Sequence, residues 1–170
     1  ANTIDWDSFI LLPTELITNG EFTSNITSWT ESSSGTGSAT YSSGSLSLAA
    51  GSGTSAVYQA VSLTRGRQYM VSFAMKNASE SGTAISPSLD VSVGTSALAT
   101  DVVTGTYTSA GGSNDEGDLS YHNFTFEASA TQHFLTIKNS TASSTVLVDN
   151  VSVKENFHPK SLKYLNEDEW

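Results

Sequence analysis

An acidic residue stands in the middle of an apolar, β-branched segment. In residues 145–154, TVLVDNVSVK, valines alternate with other side chains on both sides of Asp149. Such alternation is typical of a strand with one buried face, where an unpaired carboxylate is costly. If residues 19–22 (NGEF) lie beside this strand, Glu21 and Asp149 form a pair of carboxylates. Two such negative charges can stand close together only if a cation lies between them. The sequence therefore predicts a structural calcium ion held by Glu21 and Asp149. Alternatively, Asp149 accepts backbone N–H groups and Glu21 is solvated.

Other residue types that could do chemistry lack the spacing that the chemistry needs. No two of His122, His133 and His158 have the H-E-x-x-H spacing that places two metal ligands on one helix face. The chain contains no G-x-S-x-G nucleophile elbow. Cysteine is absent, which excludes disulfides, thiolate zinc sites and cysteine nucleophiles. We therefore expect a protein that is not an enzyme.

The elements that must position these residues are predicted to be strands. Short alternating segments separated by Gly, Ser, Asn and Thr clusters indicate an antiparallel β-sandwich or jelly roll. These segments are 45–49, 56–63, 68–75, 88–93, 121–127, 134–138 and 145–153. Residues 94–120 show no clear pattern apart from a short turn near 97–100. They are predicted to form a long loop or two irregular edge strands, and such loops are often functional.

Side-chain alternation predicts which residues of two strands enter the core. In the first, one face is predicted to point inward and the other outward: Tyr69, Val71, Phe73 and Met75 inward, and Ser72, Ala74 and Lys76 outward. In the second, His122, Phe124 and Phe126 share a face opposite Asn123, Thr125 and Glu127. Both assignments follow from the period of two that a strand imposes on its side chains.

Charge and length limit the possible partners. The chain has 170 residues, which suits one domain, with 17 acidic against 7 basic residues and a net charge of −10. This charge works against binding nucleic acid or an anionic membrane surface, because both rely on Lys and Arg. No apolar run approaches the roughly 18 residues of a membrane-spanning helix. The first residues do not resemble a signal peptide, so we expect Ala1 to follow either a removed initiator methionine or a cleaved signal.

The two ends differ in character from the middle of the chain. We predict an N-terminal arm at 1–15, a sandwich at 16–155 and a C-terminal tail at 156–170, although the first segment could instead supply a strand of the domain. Both ends combine polar residues with large apolar ones, which suits docking on a neighbouring protein. The predicted anchors are Trp6, Phe9, Leu162 and Trp170. Such anchoring implies an oligomeric or multi-copy assembly.

Three blocks resemble a known family when taken in order. They are LITNGEF at 16–22, followed by Trp29, then VYQAVSLTRGRQYMVSFAMKN at 57–77 and VLVDNVSV at 146–153. Together they resemble carbohydrate-binding modules of families 4, 9 and 22, which are galactose-binding-like jelly rolls. The resemblance implies an all-β jelly-roll sandwich, a core position for Trp29 and a structural calcium near the opening turn and the closing Asp149. In many members the acid follows the aromatic residue of that turn, whereas here Glu21 precedes it.

The resemblance also directs attention to residues that could bind a sugar. Sugar binding would need exposed aromatic rings and polar neighbours on a sheet face or at loop tips. The candidates are Tyr41, Tyr58, Tyr107 and Tyr121, with Gln59 as a polar neighbour. For each tyrosine the alternative is a core or rim residue with its hydroxyl at the surface.

Two functions are consistent with the sequence. The favoured one is a non-catalytic structural, decoration or adhesion protein of a virion, most naturally a bacteriophage, anchored to other virion proteins through both terminal arms. The alternative is a secreted, extracellular glycan-binding module associated with a glycoside hydrolase. Glycans are possible partners under both hypotheses.

Overall fold

Two antiparallel sheets of five strands face each other in a computed structural model that describes residues 13–78, 85–108 and 119–156. The strands are β1 Thr30–Glu31, β2 Ser38–Ser42, β3 Ser45–Ala49, β4 Ser55–Ser62, β5 Gln68–Asn77, β6 Ser88–Gly94, β7 Val103–Thr108, β8 Ser120–Glu127, β9 Gln132–Asn139 and β10 Thr145–Glu155. The first sheet has the order β1-β4-β9-β6-β7 and the second β2-β3-β10-β5-β8. The described part of the chain is all-β, and the predicted jelly-roll sandwich is confirmed.

All seven predicted strands are present, and their ends lie within two residues of the predicted ones. The prediction missed β1 and β2, and it left β7 within the unpatterned region. These three strands lie at sheet edges. Each is short or rich in small polar residues, and an edge strand buries less of its surface than a central one. Its sequence therefore carries a weaker alternation.

The core lies between the sheets and contains the four residues predicted to face inward on β5, among them Phe73, which is 1% exposed. Ala74 was predicted to face outward; it stands outside the core cluster, as predicted, and it is nevertheless fully buried. Ala74 is paired across the sheet with Tyr121 on β8 and with Asp149 on β10.

The predicted shared face of His122, Phe124 and Phe126 is confirmed by the burial pattern of β8. His122 and Phe124 help to close the gap between the edge strands β7 and β8. The ring of Tyr107 on β7 lies 5.0 Å from the ring centres of both Phe73 and His122. These aromatic contacts join the edge of the first sheet to the edge of the second.

The described chain begins and ends against the sandwich. Glu15 contacts β10, and the Asn156 N–H donates to the carbonyl of Gln68 at 2.8 Å. The proposed anchors Trp6, Phe9, Leu162 and Trp170 lie outside the described residues, as does His158.

Candidate functional site

The opening turn and the closing strand meet, as the first sequence prediction required. The pairing of β10 with β5 shifts register between Asp149 and Ser152, and Asn150 in this bulge has a φ of 53°. The freed Val151 N–H donates to the Gly20 carbonyl at 2.9 Å. A side chain at position 20 would place its Cβ 1.9 Å from the Val151 carbonyl oxygen. Only glycine fits this approach of the turn to the bulge.

Trp29 fixes the same turn from the other side. Its indole N–H donates to the carbonyl of Asn19 at 3.0 Å, and its ring packs 5.7 Å from that of Phe22. Trp29 and Phe22 are both buried. The side chain of Asn19, at a φ of 56°, donates to the Thr27 carbonyl at 2.9 Å. The expected core position of Trp29 is confirmed.

Glu21 and Asp149 are neighbours but differ in environment. Asp149 is half-buried and Glu21 is exposed. Desolvation raises the pKa of the Asp149 carboxyl, the hydrogen bond from the Asn150 N–H opposes this rise, and the negative charge of Glu21 adds to it. The Asn150 N–H lies 2.8 Å from Asp149 Oδ1. Asp149 therefore has the local backbone donor of the alternative hypothesis, while it also experiences the repulsion that a cation would relieve.

Within the described ranges, no group of three or more His, Cys, Asp or Glu side chains is arranged to hold a metal ion. A calcium ion between Glu21 and Asp149 would therefore need backbone carbonyls or water as further ligands. Calcium accepts such ligands readily, so the two carboxylates fit the ion only as part of a larger oxygen set.

An open cleft of about 530 Å³ adjoins the turn, with Glu15, Glu21 and Lys154 on its walls. Glu15 is already occupied: its Oε2 accepts from the Ser152 hydroxyl at 2.6 Å and its Oε1 from the Val153 N–H at 2.9 Å. Burial alone would raise the pKa of Glu15, but these hydrogen bonds, another from the Ile17 N–H and the charge of Lys154 together lower it. In this part of the cleft, Glu15 therefore joins the start of the described chain to β10.

The five residues predicted to bind a ligand do not converge. Gln59 is buried, and its amide exchanges two hydrogen bonds with the Thr18 backbone, at 2.8 and 2.9 Å. Tyr107 is half-buried in the aromatic cluster, and burial raises the pKa of its hydroxyl. Tyr41 lies on β2, where its hydroxyl donates to the Thr23 carbonyl at 3.4 Å. Tyr121 is 73% exposed on the outer face of the second sheet.

Tyr58 has a different setting, on the outer face of the first sheet. Its ring packs edge-to-face against Phe134, with ring centres 6.1 Å apart. The two residues are diagonal neighbours on β4 and β9, because Tyr58 pairs with Thr136. Both are half-buried. The sequence interpretation missed Phe134, although its alternation with Leu135 on β9 carried the signal that it faces outward.

A polar groove of about 220 Å³ lies on this same outer face. Its floor comes from β9 and β6, where Thr136 pairs with Ser92 and Lys138 pairs with Asp90. Segment 95–102, which joins β6 to β7, contributes Leu98 and Thr100 to the lining, and Ser32 and Thr54 contribute from the side of β1 and β4. No residue of the groove was among the sequence-predicted site residues.

Among the described residues, no helix is long and apolar enough to cross a membrane.

No protein-family model and no curated protein matches the sequence. Solved structures do match in fold. A CBM4 is 18% identical with a TM-score of 0.64, covering 82% of this chain and 99% of its own. An arabinose-bound α-L-arabinofuranosidase is 15% identical with a TM-score of 0.62, covering 85% of this chain and 27% of its own. The tailspike protein 4 of bacteriophage CBA120 is 16% identical with a TM-score of 0.57, covering 84% and 21%. The chain therefore has the jelly-roll fold that is found in carbohydrate-binding modules.

Proposed function

We propose that this chain is a non-catalytic glycan-binding module that works outside the cell or on a virion. The observation that carries the proposal is the Tyr58–Phe134 pair, which places two aromatic rings on an outer sheet face beside a polar groove. Sugars combine apolar ring faces with hydroxyl edges, so a binding surface needs aromatic area next to hydrogen-bonding groups. The likeness in fold to a CBM4 supports the same conclusion.

Binding of the parent protein to a panel of soluble plant and bacterial polysaccharides, measured by affinity electrophoresis, tests this function. Tyr58→Ala and Phe134→Ala should each weaken binding at least tenfold, which corresponds to about 1.4 kcal/mol. Tyr121→Ala is the matched control, since Tyr121 is exposed on the opposite sheet. The proposal fails if no glycan binds, or if Tyr121→Ala weakens binding as much as Tyr58→Ala and Phe134→Ala do.

A second candidate function is the structural or decoration role on a bacteriophage virion. It is favoured by the likeness in fold to a tailspike protein and by the apolar residues of both terminal segments, Trp6 and Phe9 at one end and Leu162 and Trp170 at the other. Deletion of residues 1–12 or 157–170 should then leave the sandwich folded and abolish incorporation into particles. Truncated protein that still co-purifies with particles at full occupancy would argue against this role.

Calcium at Glu21 and Asp149 belongs to the same proposal as a structural ion. It is supported by the contact between the opening turn and the bulge of β10 and by the mutual repulsion of the two carboxylates. Such an ion would tie the start of the domain to its last strand and would take no part in binding a glycan.

A further inference from the structure

Beyond its bulge, β10 has one edge that no strand of the sheet covers. β3 pairs only with residues 145–148 of β10, whereas β5 pairs with β10 as far as Glu155. The Asn156 N–H donates to the Gln68 carbonyl on the side of β5, so the backbone groups of Glu155, one residue earlier, point to the opposite edge. On that edge, no hydrogen bond joins the N–H or carbonyl of Glu155 to another described residue. Unpaired backbone groups of this kind are a template for a further strand.

The first described residues already occupy the beginning of this edge. The Gly20 carbonyl accepts from the Val151 N–H at 2.9 Å, and the Leu16 N–H donates to the Val153 carbonyl at 3.0 Å. From Gly20 back to Leu16 the chain therefore runs antiparallel to β10. Glu15 completes the contact, because its Oε1 accepts from the Val153 N–H at 2.9 Å. Continued in the same direction, the chain would pass along the free edge of β10.

The two terminal segments, which lie outside the described residues, have sequences that suit this pairing. In residues 4–7 (IDWD), apolar and acidic side chains alternate, as in a strand with two unlike faces. Residues 1–12 contain two aspartates and no basic residue, whereas residues 157–166 contain two lysines and no acidic residue. The two segments therefore carry opposite charges, although the chain as a whole has a net charge of −10.

The contact between Leu16 and Val153 also sets the register of the pairing. In an antiparallel pair the numbers of facing residues have a constant sum, so Leu11 would face His158. This is a position without hydrogen bonds between the two residues, where side chains come closest. Pro13 would stand at another such position, where the ladder needs no N–H from it.

The same register brings opposite charges together. Phe9 would face Lys160, and Asp7 would be the diagonal neighbour of Lys160, within reach of its long side chain. Pro159 has no N–H to donate to Ile10, which leaves one gap in the ladder. Because the gap lies beyond the first facing pairs, it does not interrupt the part of the ladder next to β10.

We propose that the free edge of β10 is the docking site of the N-terminal segment, residues 1–12, and that residues 157–163 continue β10 beside it. The two ends of the chain then form one antiparallel ribbon of two strands. The inference does not depend on glycan binding. It adds to the second candidate function, because the anchors Trp6, Phe9 and Leu162 then belong to one element. A ribbon of two strands is marginally stable alone, so a neighbouring protein that covers its apolar side chains stabilises it.

Amide hydrogen exchange, measured by NMR on the full chain and on a variant lacking residues 1–12, tests the docking. The Glu155 N–H should exchange roughly tenfold or more slowly in the full chain, because the N-terminal segment supplies its acceptor. The Asn156 N–H, which donates to Gln68 at 2.8 Å, is the internal control and should be equally protected in both proteins. Equal exchange of Glu155 in the two proteins overturns the docking. If the variant does not fold, exchange of Glu155 in the full chain at the rate of an unstructured peptide overturns it.

Engineered cysteine pairs test the register, since the chain contains no cysteine of its own. Facing residues at a position without hydrogen bonds have Cα atoms about 4.5 Å apart, which a disulfide can span. Leu11→Cys combined with His158→Cys should therefore form an intramolecular disulfide in a glutathione buffer. Its equilibrium constant should be roughly tenfold or more above that of Leu12→Cys combined with His158→Cys. In this control the two side chains point to opposite faces of the ribbon.

The outcomes separate the ribbon from the proposed functions. Equal equilibrium constants for the two cysteine pairs overturn the ribbon. A disulfide that joins two chains, seen as a dimer on a non-reducing gel, also overturns it, because the N-terminal segment then docks on a second copy. Either failure leaves glycan binding at Tyr58 and Phe134 untouched, and it leaves anchoring by two separate terminal segments as the form of the second candidate function.

Discussion

Val151 donates its N–H to the carbonyl of Gly20 at 2.9 Å, and this bond fastens the first turn of the domain to the bulge in its last strand. The bulge makes the bond possible because it turns Val151 out of the ladder between β10 and β5, whose register breaks between Asp149 and Ser152. The two ends of the domain are thus joined by backbone contacts that do not depend on side-chain charge.

Gly20→Ala should therefore be strongly destabilising. Its Cβ would lie 1.9 Å from the Val151 carbonyl oxygen, and the backbone must move because no flexible side chain can yield. We expect a loss of about 2–4 kcal/mol, in the range of other substitutions that force backbone shifts. Denaturant unfolding measures it. Gly44→Ala is the comparison. A Cβ at position 44 meets nothing within 4 Å, so the only strain comes from the left-handed φ of 84°, and the expected loss of stability is about 1–2 kcal/mol. Equal losses in the two variants would contradict the close approach at Gly20.

Phe73→Ala should cost about 3–5 kcal/mol of unfolding free energy, through lost burial and a residual cavity. Phe73 is 1% exposed, and it packs against the rings of Tyr107 and His122 at the open edge of the sandwich. Equilibrium denaturation of the parent and the variant gives the difference. Met70→Ala, at a site that is 38% exposed on the same strand, should cost much less. A Phe73 variant as stable as Met70→Ala would contradict the register of β5.

The fold could be predicted from the sequence because the central strands, such as β5 and β10, show a strong alternation of apolar and other side chains. It was also sufficient for the meeting of Gly20 with β10, since the resemblance placed both blocks at fixed points of one fold. It was insufficient for the outer sheet face. Thr136, Ser92 and Asp90 are ordinary polar residues in a chain rich in them, and only the pairing of β9 with β6 brings them together. The role of Gln59 was hidden for a similar reason, because its partner Thr18 lies 41 residues away in sequence.

Acid should destabilise the protein through His122, which is half-buried, and His133, which is buried. Desolvation lowers the pKa of His122, and it lowers the pKa of His133 against the opposing charge of Asp101. The unfolded state, with an ordinary histidine pKa of about 6.5, binds protons before the folded state does. Stability from these groups is therefore complete above about pH 6.5 and is lost as the pH falls below it. Thermal melts between pH 7.5 and pH 5 measure this loss.

His122→Phe isolates one contribution to that pH dependence. The phenyl ring keeps the contacts with Phe73 and Tyr107 and cannot be protonated. The variant should lose less stability than the parent over the same pH interval. A variant whose melting temperature falls as steeply as that of the parent would show that His122 is not the group responsible.

The effect of replacing Asp149 on the stability of the protein should change sign with calcium. Without calcium, the raised pKa of Asp149 means that the folded state holds its proton more tightly than the unfolded state does. Stability is therefore lost as the pH rises from the ordinary aspartate pKa through the folded pKa, and the loss is complete at pH values above the folded pKa. Asp149→Asn should then be neutral or stabilising at pH 7 in EDTA. With calcium about a hundredfold above its dissociation constant, the parent should gain roughly 2.7 kcal/mol that the variant cannot gain.

Thermal melts of both proteins in EDTA and in calcium, with magnesium as the control ion, measure these differences. Glu21→Gln should reduce the calcium effect less than Asp149→Asn does, because Glu21 is exposed and Asp149 is half-buried. Magnesium should have a smaller effect, since it demands a regular octahedron that the bulge of β10 is poorly placed to provide. A parent protein whose melting temperature is unchanged between full chelation and excess calcium would leave the Asn150 N–H as the partner of Asp149 and remove the ion from the proposal.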